Sequence, residues 1–284
     1  MAMLLLKKIV YFRVDEDCPQ RLFLLFLLVR LVVVIHKRTQ TGNSMCAMKE
    51  ITTEEISRAV ARMAVDACCL LPDDVVAGLA RARQEESSPI GQAILEQLQE
   101  NAALARAESM PICQDTGIVN VFLKIGMNVR FEGFAADQSL EDAVNEGVRR
   151  GYNHPDNTLR ASVVADPHFA RKNTKDNTPA VINVQIVPGD KLDVTVAAKG
   201  GGSENKSKMI MMNPSDNLVD WVLKTVPTMG AGWCPPGMLG IGIGGTAEKA
   251  VLMAKESLMD DLDMYELQAK QASGAELDNV EKLR

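Results

Sequence analysis

Apolar residues recur at helical spacing through the first part of the chain's main body. Thr52 and Glu55 form a T-x-x-E capping box, and the apolar residues after it recur every three or four positions, which predicts a helix over residues 53–70. Pro72-Asp73-Asp74 begins a second helix that we expect to reach Glu86, and Ser88-Pro89 begins a third that ends near Glu108. This part of the pattern predicts an amino-terminal helical bundle.

The pattern changes to alternation after the segment "MPICQDTG". Residues 117–125 and 127–131 are β-rich and flank Gly126, which predicts a hairpin. Residues 180–200 alternate on both sides of Pro188-Gly189-Asp190, which predicts a second hairpin.

Further helices and one buried strand follow the same rules. Ser139 and Asp142 cap a helix to Tyr152, residues 214–229 and 246–258 are helical, and "MLGIGIGG" has the pattern of a buried strand. The predicted fold class is therefore α+β (mixed α/β), a helical bundle followed by a mixed, largely antiparallel sheet with flanking helices.

The first 47 residues differ in character from residues 48–284. Their apolar core, Leu22–Ile35, is 14 positions long and is interrupted by Arg30, whereas a membrane-spanning helix needs about 20 apolar residues. We interpret 1–47 as upstream sequence and Met48 as the native start. The alternative is a membrane-surface anchor built from residues 21–38.

The charge is unevenly distributed along the chain. The net charge is −6; residues 1–47 hold seven basic and three acidic residues, or +4, so residues 48–284 carry −10. An acidic body without a basic cluster argues against a nucleic-acid partner, and no membrane partner is expected. The six cysteines form no C-x-x-C pair, which favours a cytoplasmic protein over a secreted disulfide scaffold.

Four polar or glycine-rich loops interrupt the predicted elements. They contain Cys113–Gly117, Arg160, the segment "KGGGSENK" and Cys234. Functional groups concentrate in such loops. The three glycines of "KGGGSENK" follow a strand and precede a helix, with Lys199, Asn205 and Lys206 around them, which favours a carboxylate-binding turn.

Cys113 and Cys234 both lie on turns beside prolines, not inside helices. Two such thiols are compatible with soft-metal or iron–sulfur ligation. Buried packing cysteines, or a single catalytic thiol without an evident partner, are the alternatives left open by spacing alone; nothing in the sequence supports pairing that thiol with one of the three histidines.

Six motifs in order resemble one known family. They are "PICQDTG", "NTLRASVVADP", "DNTPAV", "KGGGSENKS", "CPPG" and "GIGGTAEKA". Together they resemble the amino-terminal (alpha) part of the class I iron–sulfur fumarate hydratases, whose architecture L-tartrate dehydratases share. The resemblance covers residues 50–284.

The resemblance implies a [4Fe–4S] cluster held by three cysteines, with one open iron that acts as a Lewis acid on the substrate. Cys113 and Cys234 match two of the three ligands. The third lies in a region that would follow residue 284, so we expect the 48–284 domain to be incomplete at its carboxy-terminal end.

The resemblance also assigns substrate contacts. Gln114 lines the substrate, Asp115 is the catalytic acid or base, and Arg160 binds a substrate carboxylate. The backbone N–H groups at the glycine run would hold a carboxylate; that run is Gly200, Gly201 and Gly202.

The expected activity is the reversible hydration of fumarate to malate, with a small dicarboxylate as substrate, in an oligomeric assembly. A beta subunit or fused carboxy-terminal domain would complete the site, so we expect this chain to be inactive alone. The alternatives are an L-tartrate dehydratase alpha subunit and, from another class, a non-catalytic anion-binding or assembly module.

Overall fold

The computed structural model describes residues 9–14, 23–28, 33–34, 48–230, 237–260 and 264–284. The chain divides into two compact units. One contains residues 31–199, and the other contains residues 1–30 together with residues 200–284. We call them the loop unit and the glycine unit, after the predicted site segments that they carry.

The helices of the described residues are α1 Thr53–Cys69, α2 Asp73–Glu85, α3 Pro89–Glu108, α4 Leu140–Tyr152, α5 Gly201–Glu204, α6 Leu218–Thr225, α7 Ala247–Ser257, α8 Met264–Ala272 and α9 Asn279–Leu283, and a 3₁₀ turn covers Val226–Met229. The strands are β1 Ile9–Val14, β2 Phe23–Leu28, β3 Val33–Val34, β4 Lys49–Thr52, β5 Ile118–Gly126, β6 Val129–Glu132, β7 Val164–Ala165, β8 Lys172–Asn173, β9 Val181–Val187, β10 Leu192–Lys199, β11 Lys208–Ile210 and β12 Met238–Ile243. Helices and mixed sheets together confirm the α+β class.

The loop unit is built on a four-stranded sheet in the order β3-β10-β5-β9. Strand β5 lies between β10, to which it is antiparallel, and β9, to which it is parallel. Apolar residues of β5, α1 and α4 form the core, with Val60, Val121 and Val148 fully buried. Helices α1 and α4 pack on one another, and α2 packs on α3.

Local capping explains why α1 and α4 begin where they do. Thr52 and Glu55 form the predicted capping box of α1, and Ser139 and Asp142 form the same arrangement at α4. Each box satisfies backbone N–H groups that the first helical turn leaves without a partner. Both helices thus have the predicted bounds to within one residue.

Both predicted hairpins are wrong, although all four strands exist. Strand β5 does not pair with β6, which instead lies parallel to β4. Strands β9 and β10 are separated by β5, which inserts between them. The turn around Gly189 crosses the end of β5, where the N–H of Gly126 donates to Lys191 O at 2.8 Å and the N–H of Asn128 donates to Gly189 O at 2.8 Å.

The glycine unit has its own four-stranded sheet, in the order β1-β12-β2-β11. Every residue of β12 is buried, as its pattern predicted, and α7 packs against it. The predicted helix over 214–229 is shorter, because residues 214–217 form a turn before α6 begins.

Three strands of this fold come from the first 47 residues. Strands β1 and β2 pair with β12, and β3 pairs with β10. The remainder of that segment, including most of residues 21–38, lies outside the described residues. That 1–47 is upstream of the native start stays a prediction. No helix in the described ranges has the length and apolar content to cross a membrane.

The contact between α1 and α4 gives a direct test of the loop unit's packing. A methyl group at Gly147 would lie 2.6 Å from the Ser57 carbonyl oxygen and 2.7 Å from Val60 Cβ. We expect G147A to lower the free energy of unfolding by about 1–3 kcal/mol, the usual cost of overpacking. Urea denaturation followed by circular dichroism measures it.

The matched control is G78A in α2, where an added methyl group meets nothing within 4 Å. There the gain in helix propensity should stabilise the protein by about 0.5–1 kcal/mol. Equal effects of the two substitutions would contradict the packing described for α1 and α4.

Candidate active site

The loop Cys113–Gly117 lies between α3 and β5. Its entry is fixed by two hydrogen bonds: the N–H of Ile112 donates to Cys68 O at 2.9 Å, and Asn101 Nδ2 donates to Ile112 O at 2.9 Å. Cys113 follows directly and is partly exposed, and its Sγ lies 3.5 Å from Gln114 Oε1. The thiol is therefore held on an anchored turn while remaining accessible.

The side chains after Cys113 are exposed at first and then become buried. Gln114 is exposed and Asp115 is partly exposed, whereas Thr116 is buried. The N–H of Gly117 donates to Asp115 Oδ1 at 3.1 Å, which fixes the direction of the carboxylate. The loop thus presents a thiol, an amide and a carboxylate in succession.

The Thr116 carbonyl is the buried anchor of this loop. Tyr152 Oη donates to it at 2.8 Å, and Cys68 Sγ donates to it at 3.7 Å. Burial raises the pKa of the Cys68 thiol to about 12, and burial also raises the pKa of Tyr152. Both groups are therefore protonated at neutral pH and keep their donor protons directed at this carbonyl.

Gly117 lets the chain pass from the loop into the sheet. Its φ is +73°, a backbone conformation that residues other than glycine rarely adopt. A β-carbon there would lie 2.3 Å from the backbone carbon of Lys199 at the end of β10. Backbone conformation and close approach both require glycine at this position.

The Arg160 segment is joined to the same loop. Thr116 Oγ1 donates to the Arg160 carbonyl, and Ser162 Oγ donates to Gly117 O at 3.5 Å. The Arg160 side chain itself is exposed. The structure thus brings Cys113, Gln114, Asp115 and Arg160 into one connected part of the loop unit.

Arg160 lines an open cleft of about 510 Å³. A second cation, Lys175, also lines the cleft; the remaining lining residues are Leu159, Ala161, Ser162 and Asn173. No residue that lines the cleft is acidic, and within the described ranges neither cation forms an ion pair. In a chain of net charge −6, this cleft is suited to an anion.

The predicted glycine run lies in the other unit and has a different structure from a simple loop. Gly200 is the N-cap of α5, and Gly201 and Gly202 form its first turn. The N–H of Glu204 donates to Gly200 O at 3.1 Å. Lys199 is buried at the end of β10, with 2 % of its surface exposed. The carboxylate-binding role of Gly200, Gly201 and Gly202 stays a prediction.

The described residues supply one thiol suited to a metal centre. Cys113 is accessible, whereas Cys68 and Cys69 are buried and have raised pKa values, chiefly because burial disfavours the thiolate. Cys234 lies outside the described residues. Among the residues described, no three His, Cys, Asp or Glu side chains cluster closely enough to hold a metal ion.

No role was predicted for three residues that support or line the candidate site, Tyr152, Asn177 and Lys175. Asn177 lies inside the motif "DNTPAV", but an asparagine in a loop motif does not reveal its partners.

Comparison with known proteins identifies the family. A family model described as fumarate hydratase (Fumerase) matches residues 57–283. The chain belongs to this family, and the resemblance drawn from the six motifs is confirmed.

Similar proteins carry tartrate dehydratase names. The chain is 35% identical over 213 residues to "Putative L(+)-tartrate dehydratase subunit alpha" of Methanocaldococcus jannaschii, covering 72% of each chain. It is 28% identical over 216 residues to "L(+)-tartrate dehydratase subunit alpha" of Escherichia coli strain K12, covering 74% of this chain and 69% of that one. These relatives support the hydro-lyase class.

The different environments of the cysteines predict different rates of alkylation. When the protein is prepared without iron and treated with iodoacetamide at pH 8, Cys113 should react well before Cys68. Cys68 is buried, and only about one Cys68 thiol in 10⁴ would be ionised to the reactive thiolate. Peptide mass spectrometry over time measures the order. The control is the protein unfolded in urea, in which both cysteines should react at similar rates. Equal rates in the folded protein would contradict the burial of Cys68 against the Thr116 carbonyl.

Proposed function

We propose that the chain is the alpha subunit of an iron–sulfur hydro-lyase that acts on a four-carbon dicarboxylate. One observation carries the proposal within the family: Thr116 joins the Cys113–Asp115 loop to the Arg160 segment. A thiol, a carboxylate and a carboxylate-binding cation are thereby supported by one scaffold. The names of the relatives favour L(+)-tartrate, and fumarate and malate are the second candidate pair.

The cleft supports an anionic substrate. The Arg160 guanidinium can bind a carboxylate through two parallel hydrogen bonds, which a lysine cannot do. Lys175 also lines the cleft and adds a second positive charge, which favours a dianion over a monoanion. Gln114 is exposed beside Cys113 and would orient the substrate through its amide.

Asp115 is the proposed acid or base of the reaction. In dehydration, one substrate carbon loses a proton and the neighbouring carbon loses its hydroxyl group, so that water leaves and a double bond forms. The Asp115 carboxylate, held by the Gly117 N–H at 3.1 Å, would accept or return a proton in this exchange. The anchored backbone keeps the carboxylate in place while substrate binds.

Cys113 and Cys234 would hold a [4Fe–4S] cluster. When bound, such a cluster with an open iron supplies a Lewis acid beside the substrate oxygens. Cys113 suits a ligand role, because its thiol is accessible on a loop anchored at both ends. The backbone at Gly200, Gly201 and Gly202 would contribute N–H donors to a substrate carboxylate.

A beta partner belongs to the proposal, because the relatives are named alpha subunits. It would supply further substrate contacts and, we propose, is required for turnover, in an oligomer located in the cytoplasm. The alternative is an anion-binding or assembly module without catalysis. That alternative predicts a colourless complex after anaerobic reconstitution with iron and sulfide, and no turnover.

The test is turnover by the anaerobically prepared complex of the full-length alpha subunit, with all three cluster cysteines, and its beta partner. L(+)-tartrate, L-malate and fumarate are supplied separately, and loss of substrate is followed by chromatography. We expect turnover, with L(+)-tartrate preferred. A complex with full iron and sulfide content that converts none of the three would contradict the proposed function.

A substitution at Arg160 tests the carboxylate role. R160M removes charge-assisted hydrogen bonds and should lower kcat/KM roughly 10- to 100-fold. R62M is the matched control, because the Arg62 side chain on α1 is 78% exposed and outside the cleft. An R160M complex with wild-type kcat/KM would remove Arg160 from the site.

A further inference from the structure

Asn177 is a fully buried asparagine in a left-handed backbone conformation, with φ of +59°. Its side chain is an acceptor on one side and a donor on the other. Oδ1 accepts from the N–H groups of Ser162 at 2.8 Å and Val163 at 3.2 Å, and Nδ2 donates to Gly117 O at 3.0 Å. One fully buried amide thus forms three hydrogen bonds.

These bonds reach both segments that carry the proposed substrate groups. Gly117 lies two residues after Asp115, and Ser162 lies two residues after Arg160. The Thr116 hydroxyl makes a separate link by donating to the Arg160 carbonyl. Asn177 and Thr116 therefore cross-link the two segments at neighbouring points.

The residues around Asn177 fix its position on the scaffold. Asp176 Oδ1 accepts from the Thr178 N–H at 3.0 Å and from Thr178 Oγ1 at 2.7 Å. Asp176 Oδ2 accepts from Arg149 Nε at 2.9 Å, which ties the segment to α4. The Asn177 amide consequently extends from a fixed backbone.

The chemistry at this position requires an amide. Two backbone N–H groups need an acceptor, and the Gly117 carbonyl needs a donor. Aspartate has the same shape, but its ionised carboxylate only accepts hydrogen bonds. It would place a second acceptor oxygen against the Gly117 carbonyl oxygen in place of the donor. Glycine accepts the positive φ but removes all three bonds.

We infer that Asn177 is a positioning residue that holds Arg160 in register with Asp115, an inference that rests on the proposed hydro-lyase function. Its side-chain hydrogen bonds go to backbone groups, and it acts through the two segments. A small displacement of Arg160 relative to Asp115 would weaken substrate binding and slow the reaction, because misplacement of about 1 Å costs up to 10²-fold.

The test compares N177D and N177G in the anaerobic complex with the beta partner. We expect kcat/KM to fall roughly 10- to 100-fold in both variants. The affinity for succinate, a dicarboxylate that carries no hydroxyl group and no double bond, should fall in parallel by isothermal titration calorimetry. Iron and sulfide content should stay at the wild-type level.

The matched control is S57A, at a buried polar residue of the loop unit whose Oγ donates to Ala143 O at 2.8 Å. It should lose thermal stability but keep kcat/KM and succinate affinity within about twofold, because this bond joins α1 to α4 and neither partner lies in a segment that carries a proposed substrate group. This separates positioning from general destabilisation.

The outcomes are distinguishable. No turnover by a complete wild-type complex would overturn the proposed function. Turnover by the wild type with unchanged kcat/KM in N177D and N177G would overturn only the role of Asn177. If neither variant folds, hydrogen exchange in the wild type decides: slow exchange at the Ser162 and Val163 amides supports the inference, and exchange at the rate of exposed loop amides overturns it.

Discussion

The backbone carbonyls of Thr116 and Gly117 are the points on which the site depends. Buried donors converge on them: Tyr152 Oη at 2.8 Å and Cys68 Sγ at 3.7 Å on the first, and Asn177 Nδ2 at 3.0 Å on the second. Leaving such a carbonyl buried without a donor costs about 1–3 kcal/mol, so the loop has one favourable path through this region. Because the path is fixed, the thiol and carboxylate before it are presented in a defined direction.

This anchor connects stability with chemistry. Helices α1 and α4 supply Cys68 and Tyr152 from the core of the loop unit, so the packing of those helices determines where the Cys113 loop lies. The raised pKa values of both groups, caused chiefly by burial, keep them as neutral donors over the physiological pH range. The proposed catalytic groups are thus supported by two donors that stay neutral at physiological pH.

Local elements were predictable from the sequence, whereas their pairing was not. Capping boxes at Thr52 and Ser139 mark helix starts through contacts three residues apart, and the structure has both. The insertion of β5 between β9 and β10 depends on pairing between residues more than 55 positions apart. The local periodicity of apolar residues does not predict such pairing. The motifs likewise indicated Cys113, Asp115 and Arg160 as candidates, whereas the inferred role of Asn177 rests on its hydrogen bonds to Ser162 and Gly117.

The central claim is that Cys113 is a cluster ligand on an anchored loop, and iron and sulfide analysis of the anaerobic alpha–beta complex tests it most directly. C113S should lose most of the iron, sulfide and brown absorption. C68S is the matched control, because a serine hydroxyl can still donate to Thr116 O; it should retain them. A C113S complex with wild-type iron and sulfide content would contradict the account.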